Sequence, residues 1–246
     1  MSKISFVKAG RHEIDLEAFR EELMKWGREH FRPFPWRLTG EPYHILVAEM
    51  MLHRTQVLQV VPVYERFILR YPGVASLAQT TKEELYRILY PLGLHWRINS
   101  IHEMASELVK RFSGQVPHAR EDLLSLPGVN QYIAGAVRCF AWNLPEPLID
   151  TNIMRVMGRL FGLEVKDSFR RNRCFWELIA SLVDPFEPRS YNYALLDLAQ
   201  EVCRKTKPPE CRRCPVRRWC AIAKQLDNGN VQQPTNLADI SPFPCQ

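Results

Sequence analysis

The feature that most constrains the fold of this chain is a tight turn between two short helical segments, residues 126–132 (Leu-Pro-Gly-Val-Asn-Gln-Tyr). Residues 121–126 carry apolar side chains at helical spacing that stop at Pro127, and residues 133–140 resume as an apolar, alanine-rich helix. Gly128 can adopt a positive φ without steric strain, so the chain can reverse direction there. A hairpin of this kind points several backbone N–H groups in one direction, which predicts a binding site for an anion such as phosphate.

A second short segment follows at residues 148–153 (Leu-Ile-Asp-Thr-Asn-Ile). Asp150 precedes an amphipathic run, which predicts that it caps a new helix, and we expect its carboxylate to lie close to the hairpin. Taken separately, a Pro-Gly pair between helices predicts only a turn, and an Asp before a helix predicts only a cap. The two segments therefore predict a function only in combination with the rest of the chain.

Helical periodicity with short turns rich in glycine and proline continues through most of the chain, and no pair of strands stands out. The sequence therefore predicts an all-α fold. Besides the hairpin, the predicted helices are residues 14–31, 43–61, 63–71, 82–89, 100–112, 152–161, 172–183 and 191–202. Residues 1–12 are predicted to be a loose lead-in, and residues 225–246 are predicted to form a flexible tail. Pro62 is predicted to end the helix at 43–61.

One carboxyl, Glu49, lies inside the most apolar stretch of the predicted helix at 43–61. Either its face of the helix is solvated, or Glu49 is partly buried with a raised pKa, and the pattern alone favours the solvated face. Further along, residues 93–97 (Gly-Leu-His-Trp-Arg) bring an imidazole, an aromatic ring and a cation into one loop. The pattern alone predicts the start of a helix there, with Trp96 packed inward.

The distribution of charge favours a nucleic-acid partner. The 246 residues include 33 Lys and Arg against 27 Asp and Glu, a formal charge of +6. This length allows one large domain or two small ones, and a moderate positive charge is compatible with nucleic acid without proving it. Seven basic residues and one acidic residue lie between Cys203 and Cys220. So one-sided a cluster favours a phosphate-contacting face, with Arg212 and Arg213 as candidate contacts, over an ordinary solvated run.

The chain has no apolar run long enough to span a bilayer, and its N-terminus lacks the apolar region of a signal peptide. We therefore expect no membrane partner and a cytoplasmic location, associated with the nucleoid if the source is bacterial or archaeal. The cysteines are then expected to be reduced or metal-bound rather than paired. We also expect a monomer.

Four of the seven cysteines lie close together, separated by seven, two and five residues: Cys203, Cys211, Cys214 and Cys220. Four cysteines at this spacing predict a metal site, and spacing alone leaves tetrahedral zinc and a [4Fe–4S] cluster both open. Cys139 and Cys174 sit among apolar residues and are predicted to be ordinary core residues, while Cys245 falls in the predicted tail.

Taken together, these motifs resemble the helix-hairpin-helix DNA glycosylases, the superfamily of endonuclease III and MutY. The pattern of that family, a Leu-Pro-Gly-Val hairpin followed by an Asp just past its second helix, is matched at residues 126–129 and at Asp150. Residues 48–57 (Ala-Glu-Met-Met-Leu-His-Arg-Thr-Gln-Val) resemble the MutY segment whose Glu is catalytic, and Glu49 falls on that position. The resemblance runs from about residue 34 to residue 220.

The resemblance implies a two-lobed fold. A six-helix barrel with the hairpin would occupy residues 38–150, and a second lobe would combine residues 1–37 with 151–224. DNA would bind in a cleft between the lobes, with Glu49 and Asp150 facing each other across it and the loop at 93–97 facing DNA. The four cysteines resemble the iron–sulfur loop of the family, which favours [4Fe–4S] over zinc, although the first two cysteines are spaced by one residue more than usual.

The resemblance also implies roles for individual residues. Asp150 would stabilise a cationic sugar and orient water, and Glu49 would act as acid or base. Arg54 is the candidate wedge that enters the DNA helix. The alternative, to which we give equal weight, is an ordinary surface arginine at the end of a helix. Tyr132 stands where bifunctional relatives carry a Schiff-base Lys, which predicts base removal without strong strand cleavage (AP-lyase activity). The further candidate DNA contacts are His53, Gln56, Gly128, Val129, Asn130 and Gln131.

The predicted function is a monofunctional DNA glycosylase of base excision repair, acting on duplex DNA that contains a mismatched or damaged base. Tyr132 and the basic pair His53-Arg54 resemble the thymine–DNA mismatch glycosylases, which favours thymine or uracil opposite guanine. The segment Thr55-Gln56-Val57 and the length of the loop at 93–101 resemble MutY, which keeps adenine opposite guanine or 8-oxoguanine as the alternative. Asn130 replaces a Gly usual in both groups. Because the sequence ends soon after the cysteines, we expect it to lack the C-terminal domain with which MutY reads 8-oxoguanine.

Two alternatives come from other classes of protein. One is a non-catalytic DNA-binding module that uses only the hairpin and the basic loop. The other is a metal-stabilised interaction protein, for which affinity for DNA would not fall steeply with salt.

Overall fold

The structure, a computed structural model, describes residues 6–9, 12–93, 95–205, 209–229, 237 and 240–241, with the backbone alone at residues 9, 12, 228 and 241. The chain forms two compact units. One combines Met1–Arg32 with Pro145–Gln246, and the other is Pro33–Leu144. Within the described ranges, no helix combines the length and the hydrophobicity needed to cross a lipid bilayer.

The unit Pro33–Leu144 is helical. Its helices are α2 (Pro42–Leu52), α3 (Val57–Arg70), α4 (Val74–Ala78), α5 (Lys82–Leu89), α6 (Trp96–Phe112), α7 (Arg120–Leu124) and α8 (Gln131–Trp142). Helix α2 is apolar on every side and packs against α3, α6 and α8, so it is the buried centre of this unit. Ahead of it, a 3₁₀ turn at Pro35–Arg37 buries Trp36, whose ring meets that of Tyr64 edge-on at 5.2 Å.

The prediction of one helix over residues 43–61 is wrong. Helix α2 ends at Leu52, and α3 begins at Val57 and runs through Pro62. The cause lies outside the segment, because the guanidinium of Arg97 occupies the carbonyl oxygens of Met51 and His53. These two carbonyls would otherwise accept the next N–H groups of a continuous α-helix.

The other unit contains the remaining helices and three short strands: β1 (Phe6–Ala9), β2 (His12–Asp15), α1 (Leu16–Glu29), α9 (Thr151–Phe161), α10 (Arg173–Leu182), α11 (Pro188–Glu201), α12 (Ala221–Asn228) and β3 (Ile240–Ser241). Helix α11 packs against both α1 and α9. Their facing apolar stripes form one core, to which Cys203, Cys214 and Cys220 also pack. The cysteine segment is therefore fastened to this unit by its apolar contacts.

The expected absence of paired strands is wrong for the chain ends. Strand β1 pairs antiparallel with both β2 and β3, in the order β2-β1-β3. Val7 pairs with Ile14 and both are fully buried, so part of the predicted lead-in is a strand. The predicted tail also differs, because α12 continues to Asn228 and Ile240 is a buried strand residue; most other residues of the tail lie outside the described ranges.

Candidate functional site

The predicted hairpin is present, with α7 ending at Leu124 and α8 beginning at Gln131. The N–H of Val129 donates to the carbonyl oxygen of Leu126 at 3.2 Å, and both side chains are buried. Gly128 is exposed and has φ +79°. The hairpin is therefore held from below by two apolar side chains, while its glycine backbone faces outward.

Gly128 also lies against two other helices. A Cβ atom added there would lie 2.7 Å from Cβ of Ser100 on α6 and 2.9 Å from Cε of Met50 on α2. Both distances are shorter than real Cβ contacts. Glycine is therefore required at this turn by its backbone conformation and by the close packing beneath it.

Gly128→Ala should destabilise the protein by about 2 kcal/mol, because the side chain meets both a left-handed φ and two close neighbours. We expect weaker duplex binding as well, since the turn must shift. Chemical denaturation and duplex titration measure the two effects. The control is Gly114→Ala, which has φ +76° and no atom within 4 Å of the added Cβ. Equal losses in both variants would contradict the packing argument.

The first turn of α8 is capped by a side chain. Asn130 is the N-cap, and its Oδ1 accepts the N–H of Ile133 at 3.0 Å. Asn130 therefore serves as the cap where relatives are expected to carry glycine. Gln131 is exposed, and its Oε1 accepts Nη1 of Arg120 at 3.1 Å, which adds a positive charge beside the helix N-terminus. Arg120 was not predicted, because it lies one helix earlier in the sequence.

The candidate wedge lies in the turn between α2 and α3. Arg54 is exposed and has φ +60°, one of three non-glycine residues with positive φ in the described ranges. His53 ends α2, and its ring meets that of Trp96 edge-on at 6.0 Å, while the exposed Gln56 is the N-cap of α3. Trp96 is 49% exposed, so the expectation that it packs inward is wrong.

Glu49 lies within α2 and is 5% exposed. The solvated-face interpretation is therefore wrong, and burial, the alternative, is confirmed. A carboxyl this deeply buried requires polar or charged neighbours unless it is neutral.

Asp150 lies in the other unit, where it caps α9 as predicted. Its Oδ1 accepts the N–H of Ile153 at 2.7 Å, and its Oδ2 accepts Nδ2 of Asn152 at 2.8 Å. The carboxylate is thus held in one orientation by two donors from the first turn of its own helix. Its remaining lone pairs are available to a substrate.

A chain of hydrogen bonds links Asp150 to the cysteine segment. Oδ1 of Asn152 accepts Nη1 of Arg155 at 3.1 Å. The guanidinium of Arg155 also donates from Nε to the carbonyl oxygen of Cys203 and from Nη2 to that of Ala199, both at 2.9 Å. The first cysteine of the set is therefore connected to the helix that carries Asp150.

Two of the four cysteines, Cys203 and Cys220, contact Arg159 in the last turn of α9. Nη1 of Arg159 donates to Sγ of Cys203 at 3.3 Å, and Sγ of Cys220 donates to the carbonyl oxygen of Arg159 at 3.4 Å. Burial raises the pKa of Cys214 to about 12 and that of Cys220 to about 11, and the charges of neighbouring cysteines add to both shifts. The thiols therefore lie within electrostatic reach of one another, although no set of three or more side chains in the described ranges is arranged to hold a metal ion.

The remaining cysteines differ in state. Cys139 is a reduced cysteine and is fully buried, which confirms that it is a core residue. Cys174 packs against the core, as predicted, but it is disulfide-bonded, so the expectation that the cysteines are unpaired is wrong for this residue. Cys245 lies outside the described residues.

The basic segment is partly neutralised. Arg212 and Arg213 are both exposed, and Nη1 of Arg213 lies 2.7 Å from Oε2 of Glu210. The guanidinium of Arg218 lies 3.9 Å from the ring centroid of Trp219. Lys207 is outside the described ranges. Exposed guanidinium groups are suited to bind phosphate. At Arg213 the ion pair with Glu210 would have to break first.

Residues 47–181 match the HhH-GPD superfamily of base excision DNA repair proteins. The match spans more than half of the chain and includes Glu49, the hairpin and Asp150. The chain belongs to this superfamily.

Three known proteins illustrate how this HhH-GPD protein relates to the superfamily. A thymine/uracil-DNA glycosylase of Pyrobaculum aerophilum is 42% identical over 210 residues, which are 82% of this chain and 90% of that protein. An adenine DNA glycosylase of Rattus norvegicus is 32% identical over 237 residues, 92% of this chain and 46% of that protein. The solved structure of a thermostable thymine-DNA glycosylase has a TM-score of 0.80 and 29% identity, covering 85% of this chain and 97% of that chain.

These similarities confirm the mostly helical HhH-GPD fold. Within it, one unit of this HhH-GPD protein brings together Glu49, the turn with Arg54, and the hairpin, and the other carries Asp150 and the cysteines. Sequence reasoning missed Asn152 and Arg155, which hold Asp150 and the start of the cysteine segment. Asn152 and Arg155 are three residues apart on one helix, a spacing at which side chains meet, and this was the available signal.

Proposed function

We propose that this HhH-GPD protein is a monofunctional DNA glycosylase that hydrolyses the N-glycosidic bond of thymine or uracil mispaired with guanine in duplex DNA. The observation that carries the proposal is Tyr132 in the first turn of α8, the position of the Schiff-base Lys in bifunctional relatives. A phenol cannot form a Schiff base, so water must be the nucleophile. The 42% identity to a thymine/uracil-DNA glycosylase supports the choice of base.

The reaction requires the target nucleotide to leave the base stack, because its glycosidic bond is inaccessible in the duplex. The outward-facing backbone of the hairpin at Gly128 and the first turn of α8 would bind backbone phosphate, and Arg54 would fill the space left in the helix. The exposed guanidinium groups of Arg212 and Arg213 would add phosphate contacts. These contacts position the DNA and carry little sequence information.

Bond cleavage then needs charge stabilisation and a proton. As the bond from C1′ to the base breaks, positive charge develops on the sugar, and the carboxylate of Asp150 would stabilise it. Water adds its oxygen to C1′, and its proton passes to a basic group while the departing base is protonated. Glu49 is the candidate for that proton transfer. The products are a free base and an intact strand with an abasic sugar.

Adenine opposite guanine or 8-oxoguanine is the second candidate substrate. The segment Thr55-Gln56-Val57 favours it, and so does the 32% identity to an adenine DNA glycosylase. A protein acting on genomic DNA works where that DNA is, so we propose a cytoplasmic location, associated with the nucleoid if the source is bacterial or archaeal.

The experiment that tests the function is base release from otherwise identical duplexes carrying G·T, G·U, G·A or 8-oxoguanine·A, each with and without alkali. We expect strand breaks from G·T and G·U only after alkali opens the abasic site. Release from the adenine mispairs instead would select the second candidate. Breaks without alkali would overturn the monofunctional mechanism, and no release from any duplex would favour a non-catalytic DNA-binding module.

We further propose that Cys203, Cys211, Cys214 and Cys220 hold a [4Fe–4S] cluster. The donor set fits the group, because thiolate sulfur is the usual ligand of such clusters, and burial raises the pKa of Cys211, Cys214 and Cys220, so that their ionisation is favoured beside a cation. Arg159 would then donate a hydrogen bond to a bound sulfur. The cluster would fasten the basic segment to α9, a structural role.

Protein purified without oxygen should contain about four iron and four sulfide per chain and show broad visible absorbance. Cys220→Ser should lose both, because one ligand is removed. Cys139→Ser is the control, since that reduced, buried cysteine lies outside the set, and it should keep the full iron content. If the protein instead contains stoichiometric zinc and no sulfide, the cluster assignment is wrong and the four cysteines hold a tetrahedral zinc site.

A further inference from the structure

The N-terminal part of α6 contacts both elements of its unit that are proposed to bind DNA. Ser100 lies against Gly128 of the hairpin, and Trp96 lies against His53 of the turn between α2 and α3. Between them in sequence, Arg97 is 3% exposed, so it cannot itself reach DNA. Its guanidinium must act within the protein.

All the hydrogen bonds of the Arg97 side chain in the described structure go to the end of α2 and the turn that follows it. Nη1 donates to the carbonyl oxygen of Met51, and Nη2 donates to that of His53 at 2.6 Å and to Oγ1 of Thr55 at 3.1 Å. The carbonyls belong to the C-terminal end of α2, where a helix carries partial negative charge. Arg97 therefore caps α2 with a full positive charge.

This contact is costly, which argues that it does more than fill space. Burial lowers the pKa of Arg97, and its Nε has no hydrogen-bond partner among the described residues. Apolar side chains of similar volume would pack the same space without a desolvation penalty. In some proteins a buried charged group is retained because its hydrogen bonds determine a local conformation.

The conformation it determines is the one that presents Arg54. Where Arg97 binds the carbonyl oxygens of Met51 and His53, the backbone leaves helical geometry at His53 (ψ 109°), and the N–H of Thr55 bonds to the carbonyl oxygen of Leu52 at 3.1 Å. Arg54 then takes φ +60°, a backbone conformation that residues other than glycine rarely adopt. Such a conformation persists only where surrounding contacts maintain it.

We propose that Arg97 is a positioning residue for base extrusion: it fixes the turn between α2 and α3 so that Arg54 is presented to the DNA helix in one conformation. The proposal rests on the proposed function, because it assumes that a base is extruded. It requires no contact between Arg97 and DNA.

The test is Arg97→Lys, which keeps the charge but cannot serve three acceptors in a fork. Extrusion is followed by the fluorescence of 2-aminopurine beside the mispair that the unmodified protein processes best. We expect about a tenfold to a hundredfold slower extrusion, while affinity for matched duplex changes by less than about threefold. Thr55→Val, which removes only one acceptor, should give an intermediate loss and serves if Arg97→Lys does not fold.

The matched control is Arg20→Lys. Arg20 caps α10 in the other unit in the same way, donating to the carbonyl oxygens of Ser181 and Leu182 at 2.6 and 3.0 Å. It should lose stability without slower extrusion. In an Arg54→Ala background, Arg97→Lys should add little, because its effect passes through that side chain. If extrusion is as fast in Arg97→Lys as in Arg20→Lys, the inference is overturned. If the wild-type protein releases no base, the proposed function is overturned instead.

Discussion

Asp150→Asn should lower the rate of base release by about a thousandfold or more while leaving the fold and the affinity for duplex DNA in place. The substitution removes the negative charge that faces a developing cation. It keeps an oxygen to accept the N–H of Ile153, and Asn and Asp are equally good N-caps. One hydrogen bond from Asn152 is lost, which costs about 1 kcal/mol of stability.

Single-turnover kinetics with a saturating duplex separates the chemical step from binding. The control is Asp15→Asn, the same exchange at another helix N-cap, where Oδ1 of Asp15 accepts the N–H groups of Glu17 and Ala18. It should release base at the unmodified rate. If Asp150→Asn retains substantial turnover, the carboxylate does not stabilise the transition state and the assignment of Asp150 is wrong.

The features that the sequence predicted well are those set by neighbouring residues. Pro127 and Gly128 determine the hairpin turn, and Asp150 caps the helix that follows it, because each acts within a few positions of its own place in the chain. The periodicity of the long helices is equally local. These signals sufficed to predict most helices and the order of the site residues.

The break after Leu52 could not be predicted in this way. No residue of the segment 43–61 demands it, and Pro62 suggested a different end. The cause is Arg97, which is remote in sequence and reaches the carbonyl oxygens of α2 only in the folded chain. Tertiary contacts override helix propensity in such cases.

The strands were missed for a different reason. Strands β1 and β2 have four residues each, too short for an alternation of apolar and polar residues to stand out from chance. Their pairing is decided by burial of Val7 and Ile14 against the helices of their unit. The third strand involves Ile240, near the other end of the chain, so only the fold reveals it.

Hydrogen bonds connect the carboxylate of Asp150, through Asn152 and Arg155, to Cys203. The cysteine segment can therefore influence the proposed chemistry. Each member is held by the next, and Arg155 has donors enough to hold two carbonyl oxygens besides Asn152. A shift of Cys203 therefore has a direct route to the orientation of the Asp150 carboxylate. Sequence spacing alone cannot reveal such a route, because Cys203 follows another helix.

Glu49→Gln should lower the rate of base release by about a hundredfold or more, the usual contribution of a positioned acid or base. Glutamine has the same shape and can make hydrogen bonds, but it cannot give up or take a proton at neutral pH. Glu49 is 5% exposed within the most apolar helix, so removing its ionisable group should leave stability unchanged or slightly raised.

The pH dependence of the single-turnover rate separates proton transfer from a packing effect. If Glu49 transfers a proton, the limb of the profile that it controls disappears in Glu49→Gln, whereas a packing effect lowers the rate equally at every pH. Glu146→Gln is the matched control, because Glu146 is also 5% exposed and should keep both the rate and its profile. A full rate in Glu49→Gln would leave Asp150 as the sole carboxylate of the reaction, with the proton passing through water alone.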